Sequence, residues 1–325
     1  NPDADSAMVI NVTSLYTTTN ELMGGVESLQ RDKSWIEEAF AFPTNVEVEG
    51  IQTGNVRPPT GFGAPPAGPG ANRPRPQTQR IHWSMLELPE DPMMARLHDK
   101  RIGFNNFSFH DLGIQGHRAE ELTYIRRFKL EKANPNAAMS DPVEPIVYWI
   151  DPATPEWLKP WVKKGVDVWQ EAFEEAGFTN AIEGRFAPTK EEDPSWSLYD
   201  ARHSVIYWRP STVPNATGGQ IWDPRSGEIL KGEVNMFHNV LNLLRNWYFT
   251  QVSPVDARAQ TLPMPDSLMG RLLEYVVTHE IGHSIGFPHN MKASAMYPAD
   301  SLRSAAFLER MGGHVSTLMD YSRFN

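Results

Sequence analysis

The sequence predicts an α+β protein, in which a β-rich N-terminal domain precedes a domain built on a mixed twisted sheet and one long helix. Three observations carry that reading. Apolar and polar residues alternate over short runs from about Ala7 to Val56, and alternation is the period of strands; the portion 1–133 as a whole reads as β-rich. Residues 134–145 hold Pro135, Pro142 and Pro145 among small polar residues and read as a linker. Beyond it, apolar runs of strand length give way to segments of helical period, and the last of these carries two histidines one turn apart.

Within the first domain, 9–12 and 45–49 read as strands, while 28–42 is helical or mixed. Residues 57–80 are rich in proline and glycine. Such composition cannot build a packed core, and an exposed loop is expected, with a proline-rich ligand for another domain as the alternative. Strands resume at 81–88 and 123–130. His82, His98, His110 and His117 are scattered and read as structural.

The second domain spans 146–325. It opens on an apolar strand, 146–150. A punctuated helix follows, with Thr154 as N-cap, Pro155 in its first turn, Glu156 near the positive end and Gly177 past the last turn. Leu158, Val162, Val166, Trp169 and Phe173 recur at helical spacing and form its buried stripe. Residues 203–208 are a strand, 223–227 a turn, 228–236 a further strand and 237–250 an aromatic and leucine-rich core helix. The last helix is expected over 265–285, with Met269, Leu272, Leu273 and Val276 on its buried face.

That helix ends in the chemistry. His279, Glu280, His283, Gly286 and His289 form the pattern H-E-x-x-H-x-x-G-x-x-H. Four residues of α-helix turn through about 400°, so His279 and His283 leave nearly the same face and can grip one zinc ion. Glu280 stands beside the first ligand, where it can reach a water at the metal without binding the metal itself. Gly286 takes positive φ at little cost and turns the chain back, and Pro288 blocks any return to helix. His289 then reaches the third position. Three neutral imidazoles leave the fourth tetrahedral position to water, the arrangement of one catalytic Zn2+ rather than of a closed structural site. A chance match to all five positions is on the order of one in a hundred thousand, so histidines that merely pack or face solvent are a poor account. His238 and His314 sit at no ligand spacing.

About thirty residues downstream, Thr317-Leu318-Met319-Asp320-Tyr321 resembles the Met-turn of metzincin metallopeptidases. The sequence from Tyr275 to Ser294, and Leu318 to the end, look like one bacterial branch of that clan, large zinc-dependent metallopeptidases known mainly from genome sequences. The likeness extends upstream through the run from Pro145 and less distinctly to the N-terminus. Phe287-Pro288 departs from it, being a more rigid pair than expected, and puts only the local backbone in doubt.

The resemblance implies a metzincin-like catalytic domain and a zinc-dependent endopeptidase, with Glu280 as general base toward the attacking water and later acid toward the leaving amine. It makes Met319 a soft apolar floor beneath the imidazoles and not a ligand. In astacin-like and serralysin-like branches a tyrosine at the offset of Tyr321 reaches the zinc and donates to the oxyanion; the alternative is that Tyr321 only packs under the turn. Asp320 and Asn290 are candidate supporting groups. An extended substrate pairs antiparallel with an edge strand in this clan, which puts Gly227, Glu228, Ile229 and Leu230 near that role, with an ordinary hairpin strand as the alternative. Zinc is favoured over copper or nickel by the imidazole set and by the clan. The rival functions are a zinc-stabilised binding or scaffolding protein, which leaves Glu280 without a purpose, and a zinc hydrolase of non-peptide amides.

Composition bounds the partners. The 325 residues carry a formal net charge of -10 with no long basic run, so nucleic acid is not an expected partner and a peptide or protein substrate is. There is no cysteine, which excludes disulfides and a cysteine-based latency switch within this chain. No apolar run reaches membrane-spanning length. The chain starts Asn1-Pro2 and stops six residues after Met319, and reads as a piece of something longer. The resemblance places it in a secreted, periplasmic or surface-associated setting in a bacterium.

Overall fold

A computed structural model describes residues 9–19, 23, 25–56, 74–113 and 116–324. The chain forms two compact units, 1–87 and 88–325. Residues 88–133, expected in the first domain, pack with the second unit. The segment 134–145, expected as a linker, is tied to its neighbours by hydrogen bonds. Lys132 Nζ donates to the carbonyls of Ala137 and Ala138 at 3.0 and 2.6 Å, and Ala133 N donates to Asp141 O at 2.9 Å.

The first unit has a short helix, α1 (Thr13–Thr17), and three antiparallel strands, β1 (Trp35–Ala41), β2 (Asn45–Val56) and β3 (Arg75–Leu86), in the order β1-β2-β3. The expected strand at 9–12 is absent. Its four residues have no partner strand among the described residues, and the chain turns into α1 instead. Most of the expected proline-rich loop, 57–73, lies outside the described residues. Its remainder, from Arg75, is strand: Pro76 faces Asn55 on an edge strand, where a missing N–H costs no ladder bond. Tyr16, Val48 and Trp83 form a small core. Gln52 is 1% exposed and sews the layers together. Its Nε2 donates to Tyr16 O at 2.7 Å and its Oε1 accepts from Val26 N at 3.1 Å.

The second unit begins with a hairpin, β4 (Asn106–Asp111) and β5 (Glu120–Ile125), so that the strand expected over 123–130 starts earlier and ends at Ile125. Then come β6 (Ile146–Ile150), α2 (Lys159–Asp167), α3 (Gln170–Glu175), β7 (Ile182–Phe186), β8 (Ser204–Arg209), β9 (Ala216–Trp222) and β10 (Ile229–Phe237). Three helices follow: α4 (Val240–Val252), α5 (Asp266–Ser284) and α6 (Ala305–Met311). The five-stranded sheet has the order β7-β6-β8-β10-β9, with β9 antiparallel to β10 and the other pairings parallel. The fold is α+β as expected, a β-rich part followed by a mixed one.

The punctuated helix starts four residues later than Pro155 implies and breaks at Val168-Trp169 into α2 and α3. Its stripe holds: Leu158, Val162 and Val166 are fully buried, Trp169 and Phe173 pack beside them, and Gly177 sits past the end at φ +86. A Cβ on Gly165 would lie 2.7 Å from Val277, so glycine lets α2 rest directly on α5. Tyr148, Ile150, Ile206, Val234 and Met236 on the strands meet Leu272, Leu273, Val277 and Ile281 on α5. Each such aliphatic contributes roughly 1.5–3 kcal/mol on burial. This layer sets α5, and hence its last turn, at a definite height under the sheet.

Candidate metal centre

α5 spans 19 residues and carries His279, Glu280 and His283 in its last two turns. It stops in a Schellman motif: Phe287 N donates to Gly282 O at 2.8 Å, Gly286 N to His283 O at 3.1 Å, and Gly286 takes φ +117. A Cβ at Gly286 would also lie 2.6 Å from Arg126 O, so this glycine is needed for close approach as well as for its φ. A strap seals the turn. Asn105 N donates to Gly286 O at 2.7 Å, and Arg126 N to Asn105 O at 2.8 Å. Phe287 has a clear place: it stacks on Trp169, centroids 5.7 Å apart and 10° from parallel, with Phe104 5.3 Å away on another side. The rigid Phe-Pro pair thus fixes the backbone that delivers His289.

The three imidazoles converge. His289 Nε2 lies 3.2 Å from His279 Nε2 and 3.0 Å from His283 Nε2, and the three residues form one group able to hold a metal ion. Tetrahedral nitrogens at about 2.0–2.1 Å from a zinc stand roughly 3.3 Å apart, close to this spacing. The other ring nitrogens decide the tautomers. His279 Nδ1 donates to Leu318 O at 2.5 Å and His283 Nδ1 to Phe287 O at 2.7 Å, which leaves both Nε2 lone pairs facing inward. Burial drives the His279 imidazole down to about 4 and lowers His283 and His289 too, so all three favour the neutral, ligating form. Lone pairs this close repel one another unless a cation lies between them. The donor set fits zinc.

Glu280 is 8% exposed, and burial pushes its carboxyl up to about 7, opposed by a hydrogen bond from the Gly218 N–H. Met319 is 4% exposed and packs on Gly282, where a Cβ would sit 2.3 Å from its Sδ. It is therefore seated against α5 at Gly282. Asn290 N donates to Met319 O at 2.8 Å; here the backbone of Asn290 supports the site. Asp320 is 2% exposed, accepts from Ser294 Oγ, and accepts from Tyr321 N at 2.6 Å. The Tyr321 ring is 52% exposed and stands edge-on to His289, centroids 4.4 Å apart. Partial burial and the neighbouring Glu280 charge raise its phenol above the ordinary tyrosine value, so it is neutral and a donor. His238 packs on Trp208, away from this group.

The expected substrate strand is corrected. Gly227 and Glu228 precede β10, and Ile229 and Leu230 open it; Ile229 faces Trp222 of β9, Arg127 bridges Glu228 and accepts from Ile229 N at 2.8 Å, and from Glu233 onward β8 pairs with β10. The edges of β10 are spent. The edge strand is β9, whose second edge pairs with no strand among the described residues. The sequence analysis assigns nothing to 216–222, where Gly218-Gly219 interrupts the run of side chains. The paired glycine is the available signal: it marks close backbone approach within a strand. A Cβ on Gly218 would lie 2.1 Å from Glu280 O and 2.9 Å from His283 Cβ. Ser284 Oγ adds a bond to Gly219 O at 3.0 Å and meets the buried Tyr148 hydroxyl at 2.7 Å.

Residues 261–325 match a family model described as Met-zincin. The C-terminal part of the chain is thus metzincin-like. Residues 1–133 match the model of a domain of unknown function, DUF5117. Neither a curated protein nor a solved structure matches the chain. Among the described residues no helix is long and apolar enough to cross a membrane.

Proposed function

We propose that the protein is a zinc-dependent endopeptidase. The observation that carries this reading is the buried Glu280 carboxyl beside three inward-facing imidazole nitrogens, since a purely structural metal site has no use for such a base. When bound by His279, His283 and His289, zinc supplies Lewis acidity and eases loss of a proton from water. Glu280 takes that proton as the water attacks the scissile carbonyl and delivers it to the leaving amine. The Gly218 N–H holds the Glu280 carboxylate in place between the two transfers. Tyr321, exposed at the mouth and next to His289, donates its hydroxyl to the developing oxyanion. The edge of β9 that pairs with no strand among the described residues holds the substrate backbone: apart from the Gly218 N–H that Glu280 occupies, backbone groups there bind an extended peptide whatever its side chains. As this edge strand stands beside Glu280, a paired peptide lies across the metal centre.

The test is incubation of zinc-loaded protein with a diverse peptide library and mass spectrometry of the cleavage sites. Glu280→Ala is expected to keep its zinc and lose cleavage by several orders of magnitude, whereas His289→Ala loses zinc stoichiometry. Cleavage by Glu280→Ala near the wild-type rate removes Glu280 from the mechanism. An unchanged zinc content in His289→Ala removes the third ligand. A protein that binds zinc and cleaves no peptide points to one of the rival functions.

A further inference from the structure

Along the face of β9 that turns toward α5, three positions follow one another at strand period: Gly218, Gln220 and Trp222. Gly218 touches Glu280. The other two bring unused donors. Gln220 Nε2 is buried without a hydrogen-bond partner. Over the Trp222 ring, 3.5 Å from its centroid, lies the guanidinium of Arg126, and Arg126 Nε is likewise buried and unpartnered. Among the described residues no carboxylate pairs with Arg126, and burial alone lowers its pKa, without a neighbouring charge to oppose it. The nearby acid, Glu228, faces Lys129 and Arg127 instead. Arg126 is also held firmly, its backbone N bonded to Asn105 O at 2.8 Å and its carbonyl against Gly286.

A partly desolvated cation with no anion is costly to keep, and so is a buried amide donor with no acceptor. Both orphans are donors, so the missing ligand is rich in acceptors. Gln220 sits on the strand that would hold the substrate, and Arg126 lies over Trp222 of that strand. A peptide antiparallel to β9 runs from Trp222 toward Ala216, so its N-terminal side passes Arg126 before its scissile bond meets Glu280. Four residues from Gly218 to Trp222 span roughly 13 Å at strand rise. We propose that Arg126, stacked on Trp222 and assisted by Gln220, is a carboxylate subsite that selects peptides with an acidic side chain about three to four residues N-terminal of the scissile bond. The inference rests on the endopeptidase reading for the place of that bond. The formal net charge of -10 repels acidic peptides at a distance, so a short-range guanidinium–carboxylate pair has to supply the selection.

The experiment uses dye-labelled extended peptides of neutral sequence, in which one residue is Glu, Gln or Lys and is moved along the peptide. Binding to the zinc-loaded Glu280→Ala protein is read by fluorescence anisotropy, and cleavage by the wild type is read by mass spectrometry. At one position the Glu peptide is expected to bind roughly 10- to 100-fold tighter than its Gln counterpart. Arg126→Glu should transfer the preference to Lys, Arg126→Lys should weaken it, and Gln220→Leu should reduce it severalfold. If Arg126→Glu does not fold, the Lys and Leu variants carry the test. Equal binding of Glu and Gln peptides at every position overturns the subsite, as does a preference that survives in the Arg126 variants, or the absence of any peptide binding. A Glu preference lost in the Arg126 variants, without cleavage by the wild type, supports the subsite and rejects the endopeptidase reading.

Discussion

Gly218→Ala is the sharpest test of how β9 is seated. The new Cβ would lie 2.1 Å from the Glu280 backbone oxygen and 2.9 Å from His283 Cβ. Neither obstacle is the tip of a flexible side chain. α5 is locked by the core, so the edge strand has to give, by about 1.3 Å if ordinary contact is to be restored. That withdrawal breaks the Gly218 N–H bond to the Glu280 carboxyl and stretches the Ser284 Oγ to Gly219 O bond from 3.0 Å. Overpacking costs about 1–3 kcal/mol and each hydrogen bond about 1 kcal/mol, which makes about 3 kcal/mol in all. For a unit of this size the fall in Tm is roughly 6–12 °C. Gly219→Ala is the control: its Cβ meets nothing nearer than Glu233 O at 4.0 Å, and a change within about 0.5 kcal/mol is expected. Calorimetry gives the stability of both variants, and zinc stoichiometry should match wild type in each because the ligands stay on α5 and its following turn. Peptide turnover should fall up to about 100-fold in Gly218→Ala alone. Equal Tm and turnover for the two variants would refute the seating of β9 on α5 and, with it, the place assigned to the substrate.

Tyr321→Phe keeps the ring against His289 and deletes the hydroxyl, so turnover should drop roughly 10- to 1000-fold with little change in substrate affinity at equal zinc content; turnover within twofold of wild type leaves Tyr321 as a packing residue. Asp223 is fully buried and receives Arg225 through Nε at 3.0 Å and a terminal nitrogen at 2.7 Å, and that pair holds its carboxyl below the ordinary value of 3.8. A depressed carboxyl contributes stability above its unfolded pKa and loses it as pH falls through the folded one. Asp223→Asn should therefore be less stable than wild type at pH 7, with the gap closing in acid below about pH 4, as followed by thermal melts across pH; a gap independent of pH would assign the effect to shape rather than charge. Gln52→Leu leaves Tyr16 O and Val26 N without partners and should cost about 2–4 kcal/mol in denaturant unfolding of the first unit. A loss under about 0.5 kcal/mol would mean that water or a shifted backbone satisfies both groups.

The sequence by itself determined the histidine cluster that could hold a metal ion. The spacing of His279, His283 and His289, with Gly286 between them, is local: one helix, one Schellman turn and a three-residue return place three ring nitrogens together with little help from elsewhere. The strand at 146–150 and the long helix ending at Ser284 were legible for the same reason, since period and punctuation act within a few residues. Only tertiary structure decided the rest. Whether 227–230 is an edge or an interior segment depends on where β9 docks, and that is set by a glycine pair meeting α5 some sixty residues later. The 9–12 alternation lacked a partner strand among the described residues, and alternation without a partner does not make a strand. Residues 88–133 fold with the second unit because Asn105 and Arg126 close the Gly286 turn, a contact between residues more than 150 positions apart. Hydrogen bonds and steric fit of that range leave no periodic trace in the chain; they exist only once the two surfaces have met.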